Sequence, residues 1–167
     1  MLKPPDFFER PNSVPWPPLL LFAGITMGAV LGAWLPVNFS MPGMLQIAGY
    51  VFLAVGIAFD FSAIWTMWRA RTNILPHKPA GQLITGGPFR LSRNPIYLGN
   101  TIALAAMGFA FANLWYTLAA IVMAVLLDRL AIRREEAHLA ARFGLAWQDY
   151  AVRTPRWLSF QVLKSSP

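Results

Sequence analysis

Two stretches of the chain, positions 11 to 59 and 94 to 127, contain no Lys, Arg, Asp or Glu. Each is longer than the roughly 20 residues that one helix needs to cross a bilayer, so each holds more than one pass. The first pass is predicted from about Leu19 to Leu35, with Gly24, Gly28 and Gly32 at intervals of four on one face, where another helix can come close. Pro36 ends it, a short uncharged turn follows, and a second apolar run from about Met44 to Trp68 completes a helical hairpin. Ile96 to Leu127 as one helix would be about 48 Å long, against a hydrocarbon core of about 30 Å. Two short spans are expected instead, a third from Pro95 and a fourth reaching Arg129 or beyond, parted near Ala112 and Asn113.

The polar positions divide the rest. Residues 1–18 are rich in proline, carry Asp6 and Glu9, and lack the order of a signal peptide, so they read as an extended lead-in with Trp16 at the interface. Between the hairpins, Arg69 to Arg93 holds Arg69, Arg71, His77, Lys78, Arg90 and Arg93 without a single acid. Pro76, Pro79 and Gly81 preclude a continuous helix there, and a loop of this length tends to carry function. After the fourth span the polarity changes at once. Leu139, Phe143, Trp147 and Tyr150 recur at spacings of four, four and three, the pattern of an amphipathic helix that Gly144 divides.

Composition narrows the setting. With 56% hydrophobic residues and 13% charged ones, the chain is suited to a bilayer rather than to water. Its net charge of +7 does not point to nucleic acid, because the basic residues border apolar runs. With four spans all fourteen Lys and Arg fall on one side, which places both termini in the cytoplasm. The absence of cysteine excludes disulfides and thiolate chemistry. The expected fold is thus all-α: one domain, an integral membrane bundle of four transmembrane helices with a C-terminal cytoplasmic amphipathic helix. It comprises the lead-in, a hairpin over 19–68, and a half over 69–167 that carries the chemistry.

Candidate chemistry gathers at TGGPFRLSRNPIYLGN, Thr85 to Asn100. Gly86, Gly87 and Pro88 set a turn, Asn94 is the expected N-cap and Pro95 the first helical residue. The amides of Ile96, Tyr97 and Leu98, with Arg90 and Arg93, offer an anion site. The competing reading is that these arginines only fix membrane orientation. Glu135 and Glu136, after the fourth span, add the opposite charge. A ligand with a carboxylate, an amine, hydroxyls and an aromatic ring would use all of them, and S-adenosylmethionine is such a molecule. Its adenine or sulfonium could face Tyr97, Phe143 or Trp147. Asp60, alone at membrane depth, is a functional candidate or a paired structural acid. His77 and His138 form no metal-binding motif, so no metal is expected. There is no Ser, His and Asp arrangement for nucleophilic catalysis either.

GPFRLSRNPIYLG, Gly87 to Gly99, and REEAHLAARFGLAWQDYAVRTPRW, Arg134 to Trp157, resemble the integral-membrane methyltransferase group that includes isoprenylcysteine carboxyl methyltransferases and small phospholipid methyltransferases. They follow its patterns G-P-F/Y-R-x-x-R-H/N-P-x-Y-x-G and E-E-x-x-L-x-x-x-F-G-x-x-W/Y-x-x-Y-x-x-x-x-P-R, over about the second half of the chain. The resemblance implies a cytoplasm-facing S-adenosylmethionine site and a lipophilic or lipid-like acceptor entering from membrane lipids. It assigns Arg93, Asn94, Pro95, Tyr97, Gly99, Glu135 and Glu136 to the cofactor; the anion-site reading adds Arg90, and Arg93 and Glu136 are the candidate catalytic residues. Asn94 stands where the isoprenylcysteine enzymes have His, so no imidazole proton is available there. A neutral amine acceptor would need a proton acceptor such as Glu136 or Asp60. The expected location is the inner membrane of a bacterium, and the alternative function is a non-catalytic scaffold or lipid-binding protein.

Overall fold

The computed structural model describes residues 14–37, 40–72 and 81–158 of the chain. They form six α-helices, α1 Trp16–Trp34, α2 Gly43–Arg69, α3 Pro95–Ala110, α4 Leu114–Leu127, α5 Arg133–Phe143 and α6 Leu145–Arg153. A 3-10 turn, Gly87–Arg90, precedes α3, and a π-helical turn, Asp128–Ile132, joins α4 to α5. No strand occurs among the described residues. Most of the lead-in, and with it the expectation that it is extended, lies outside them, as do His77 and Lys78.

Three helical stretches are long and apolar enough to cross a bilayer: Trp16–Trp34, Gly43–Arg69 and Leu114–Phe143. α3 is apolar but has only 16 residues, about 24 Å at 1.5 Å per residue. The first helix begins at Trp16 rather than Leu19. Pro17 and Pro18 fall in its first turn, where an amide hydrogen has no intrahelical acceptor and its loss costs nothing.

The helices pack in the order α2, α3, α4, α1. Small residues make the close contacts. Gly49 and Gly56 of α2 lie against the α3 backbone at Ala110 and Ala103, and Gly24, Gly28 and Gly32 of α1 receive Leu104, Tyr116 and Asn113. The predicted glycine face is therefore a packing face. The break between the third and fourth helices falls where expected: Phe111 and Ala112 turn, with Ala112 at φ +49°. Asn113 then caps α4, accepting from the Trp115 amide at 3.1 Å while its Nδ2 donates to the Gly28 carbonyl at 3.0 Å.

The fourth helix runs past Arg129, as expected, and the charged residues from Asp128 onward do not end it. The chain stays helical from Leu114 to Phe143, with the π-helical turn absorbing the change in register. The amphipathic stretch is divided at Gly144, as expected. Gly144, at φ +52°, turns α6 away from α5, so Trp147 and Tyr150 are buried while Leu139 and Phe143 are only partly covered, and α5 buries His138 instead.

Candidate active site

The start of α3 is built from three segments distant in sequence. Gly87, at φ +58°, lets the 3-10 turn rest on Thr66 of α2. Beyond the turn, residues 92–94 pair with residues 155 and 156. The Arg93 amide donates to the Pro155 carbonyl at 2.9 Å, and the Arg156 carbonyl accepts from Ser92 Oγ and Asn94 Nδ2, each at 3.1 Å. Tyr150 donates its hydroxyl to the Phe89 carbonyl at 2.7 Å, which docks α6 on the same loop. Burial pushes the Tyr150 hydroxyl well above its ordinary pKa, so it remains a donor at neutral pH.

Asn94 occupies the N-cap position, but its side chain makes no capping hydrogen bond; it is turned to the Arg156 carbonyl. The Leu98 amide is not free either, because it donates to the Asn94 carbonyl at 3.0 Å. By helix geometry the first-turn amides without an intrahelical acceptor are those of Ile96 and Tyr97. Pro95 and Asn94 are buried beneath the strap of residues 154–157.

The two acids of α5 have different surroundings. Tyr97 donates its hydroxyl to Glu135 Oε1 at 2.6 Å, joining α3 to α5. Glu136 accepts from Arg156 through Nε at 3.1 and 3.2 Å and through Nη2 at 2.5 Å, and lies 3.4 Å from Arg93 Nη1. Arg156 also donates through Nη1 to Asp128 at 2.9 Å, and Asp128 accepts from Arg133. The hydrogen bonds to Glu136 raise the Arg156 pKa further, so this guanidinium is permanently charged. Arg93 is largely buried, sits 5.7 Å over the Trp147 ring, and has its Nε enclosed with no hydrogen-bond partner. Trp147, expected to face a ligand ring, is thus stacked on Arg93, while Phe143 lies under Arg142.

Of the site residues expected from sequence, Arg93, Asn94, Pro95, Tyr97, Glu135 and Glu136 come together. Arg90 is exposed at the end of the 3-10 turn. Gly99 faces α2, where its missing side chain leaves room for Asp60. Two residues along an α-helix turn by about 200°, so Asp60 lies across α3 from Tyr97 and not beside it. One Asp60 carboxylate oxygen is buried there without a hydrogen bond. Sequence reasoning missed Ser92, Asp128 and Arg156. The only signal for Arg156 was its place in the P-R end of the second motif.

This geometry concentrates paired and unpaired polar groups at the end of an apolar bundle. Residues 44–146 match the phospholipid methyltransferase family. The chain belongs to that family. The matched stretch runs from α2 through Glu135 and Glu136 and stops just short of Trp147 and the strap. Among curated relatives, the nickel-cobalt-cadmium resistance protein NccN of Alcaligenes xylosoxydans xylosoxydans is 37% identical over 105 residues, 62% of this chain and 47% of that protein. The cobalt-zinc-cadmium resistance protein CzcN of Cupriavidus metallidurans is 33% identical over 73 residues, 44% of this chain and 33% of that protein. The chain thus spans half or less of the length of the curated relatives it matches. No solved structure matches it. It is a member of the phospholipid methyltransferase family with three helices long and apolar enough to span a bilayer.

Proposed function

We propose that the protein transfers a methyl group from S-adenosylmethionine to a lipophilic or lipid-like acceptor, at the end of the bundle where α3 begins. The observation that carries this reading is the junction of Tyr97 with Glu135 beside the buried Arg93, whose Nε has no partner, at a helix start with two free amides. Bound there, S-adenosylmethionine would supply a methyl group on a positively charged sulfur. The Ile96 and Tyr97 amides and Arg93 suit its carboxylate. Glu135, held by the Tyr97 hydroxyl, suits its ammonium or ribose hydroxyls. Trp16, Leu20, Leu21 and Trp157 pack around the buried cluster that contains Tyr97 and keep water from its apolar side.

Among the described residues no three or more His, Asp or Glu side chains gather to hold a metal, so the metals in the relatives' names are not carried into this reading. In this topology α3 crosses as a short fourth span, thinning the bilayer locally, and the basic segments and both termini lie in the cytoplasm of a bacterium. Calorimetry with S-adenosylhomocysteine on detergent-purified protein, followed by transfer of tritiated methyl to extracted membrane lipids, tests the proposal. Binding together with lipid-soluble label is expected. No binding at millimolar ligand would leave a non-catalytic membrane protein.

A further inference from the structure

Arg156 ties together more of the site than any other side chain. Its guanidinium reaches Glu136 through Nε and Nη2 and Asp128 through Nη1, while its backbone carbonyl accepts from Ser92 and Asn94. The Glu136 side chain is 12% exposed and the Arg156 side chain 34%, so the arginine is the outer cover and the acid the inner anchor. Arg93 meets Glu136 from a second direction. A carboxylate enclosed in this way cannot take a ligand's ammonium without giving up an arginine. Glu135 instead faces Tyr97. A guanidinium engages two carboxylates through a rigid planar fork, whereas a lysine ammonium, with three donors on a flexible stem, lacks that fixed geometry.

We infer that Arg156 is a positioning residue of the methyl-transfer site: by clamping Glu136 to Asp128 it holds residues 154–157 across the start of α3. The inference rests on the cofactor reading above. Without the clamp the strap keeps the hydrogen bonds to its Pro155 and Arg156 carbonyls and the packing of Trp157, Glu136 is left to Arg93, and Asp128 to Arg133. Because Arg156 acts through Glu136, losing both side chains should do no more than losing the acid alone.

The test is calorimetric titration of S-adenosylhomocysteine into the full-length protein in detergent, with melting temperatures measured in parallel, for Arg156→Gln, Arg156→Lys, Glu136→Gln and the double Gln variant. Arg134→Gln, an exposed charge change, serves as the control. Arg156→Gln should weaken binding on the order of tenfold. Arg156→Lys should fall between it and wild type, the double variant should match Glu136→Gln, and millimolar guanidinium should restore part of the affinity lost in Arg156→Gln. Wild-type affinity in Arg156→Gln overturns the inference, as does tighter binding, which would show that the guanidinium competes with the ligand for Glu136. So does a double variant weaker than Glu136→Gln by the full additional loss. If Arg156→Gln does not fold, Arg156→Lys decides, and wild-type affinity in it overturns the inference. If the wild-type protein itself binds no S-adenosylhomocysteine, the cofactor reading fails and this inference falls with it, whereas binding by wild type with indifferent Arg156 variants removes the clamp alone.

Discussion

Tyr97 and Tyr150 both donate hydroxyl hydrogen bonds from buried positions, and their replacement by Phe separates two roles. Tyr97→Phe removes the bond to Glu135 and costs about 1 kcal/mol of stability. If the pair faces the cofactor, it also lowers the affinity for S-adenosylhomocysteine on the order of tenfold. Unchanged affinity in calorimetry would remove both residues from the site. Tyr150→Phe removes the bond to the Phe89 carbonyl and should destabilise by about 1–2 kcal/mol with little direct effect on the ligand. Burial raises the Tyr150 pKa above its unfolded value of about 10. The stability this residue contributes is therefore complete below that pH and declines as pH rises beyond it, when the unfolded chain ionises first. Thermal unfolding between about pH 9 and 11 should fall less steeply in Tyr150→Phe than in wild type; equal slopes would dissociate the hydroxyl from the docking of α6. Gly99 behaves as a packing residue. Gly99→Ala places a methyl group on the Asp60 carboxylate and should cost about 1–3 kcal/mol in denaturant unfolding.

At the scale of elements, the local signals were written in adjacent residues and the structure follows them. Pro95 starts α3, Asn113 caps α4 and Gly144 separates α5 from α6. Gly144 has φ +52° and ψ −122°, a conformation costly for any other residue. Gly144→Ala is expected to destabilise by about 1–3 kcal/mol and to loosen Trp147 from Arg93, seen as a red shift in tryptophan emission. An unchanged emission maximum would show that the α5–α6 angle does not depend on that glycine. The change of polarity at Asp128 marked the end of the apolar run but not of the helix, because a helix continues as long as its backbone pairing does, whatever its side chains meet. The spacing of Leu139, Phe143, Trp147 and Tyr150 suggested one face, and Gly144 alone signalled the backbone turn that makes two. That turn depends on a dihedral angle, and hydrophobic periodicity carries no information about it.

For the molecule as a whole, the row of helices α2, α3, α4 and α1 puts the turn at 111–113 at one end and the loop before α3 at the other. The chain contains no cysteine, so a single introduced one is an unambiguous reporter. Ser40→Cys, at an exposed position, should be labelled by an impermeant maleimide from outside intact cells, and Gln82→Cys only after lysis. Labelling of both from the same side would overturn the crossing of α2 and with it the four-span arrangement.

The apolar helices, the start of α3, the break after it and the pairing of opposite charges across the fourth helix were legible from one dimension, because hydropathy and the backbone limits of Pro, Gly and Asn act within a few residues. What needed the tertiary structure was the choice between neighbours. Glu135 and Glu136 are adjacent, yet their side chains point about 100° apart on the helix, so one meets Tyr97 and the other meets arginines. Ser92 and Arg156 meet across 64 residues. Such contacts depend on how the chain closes on itself, and only folding decides which of two like residues faces the site.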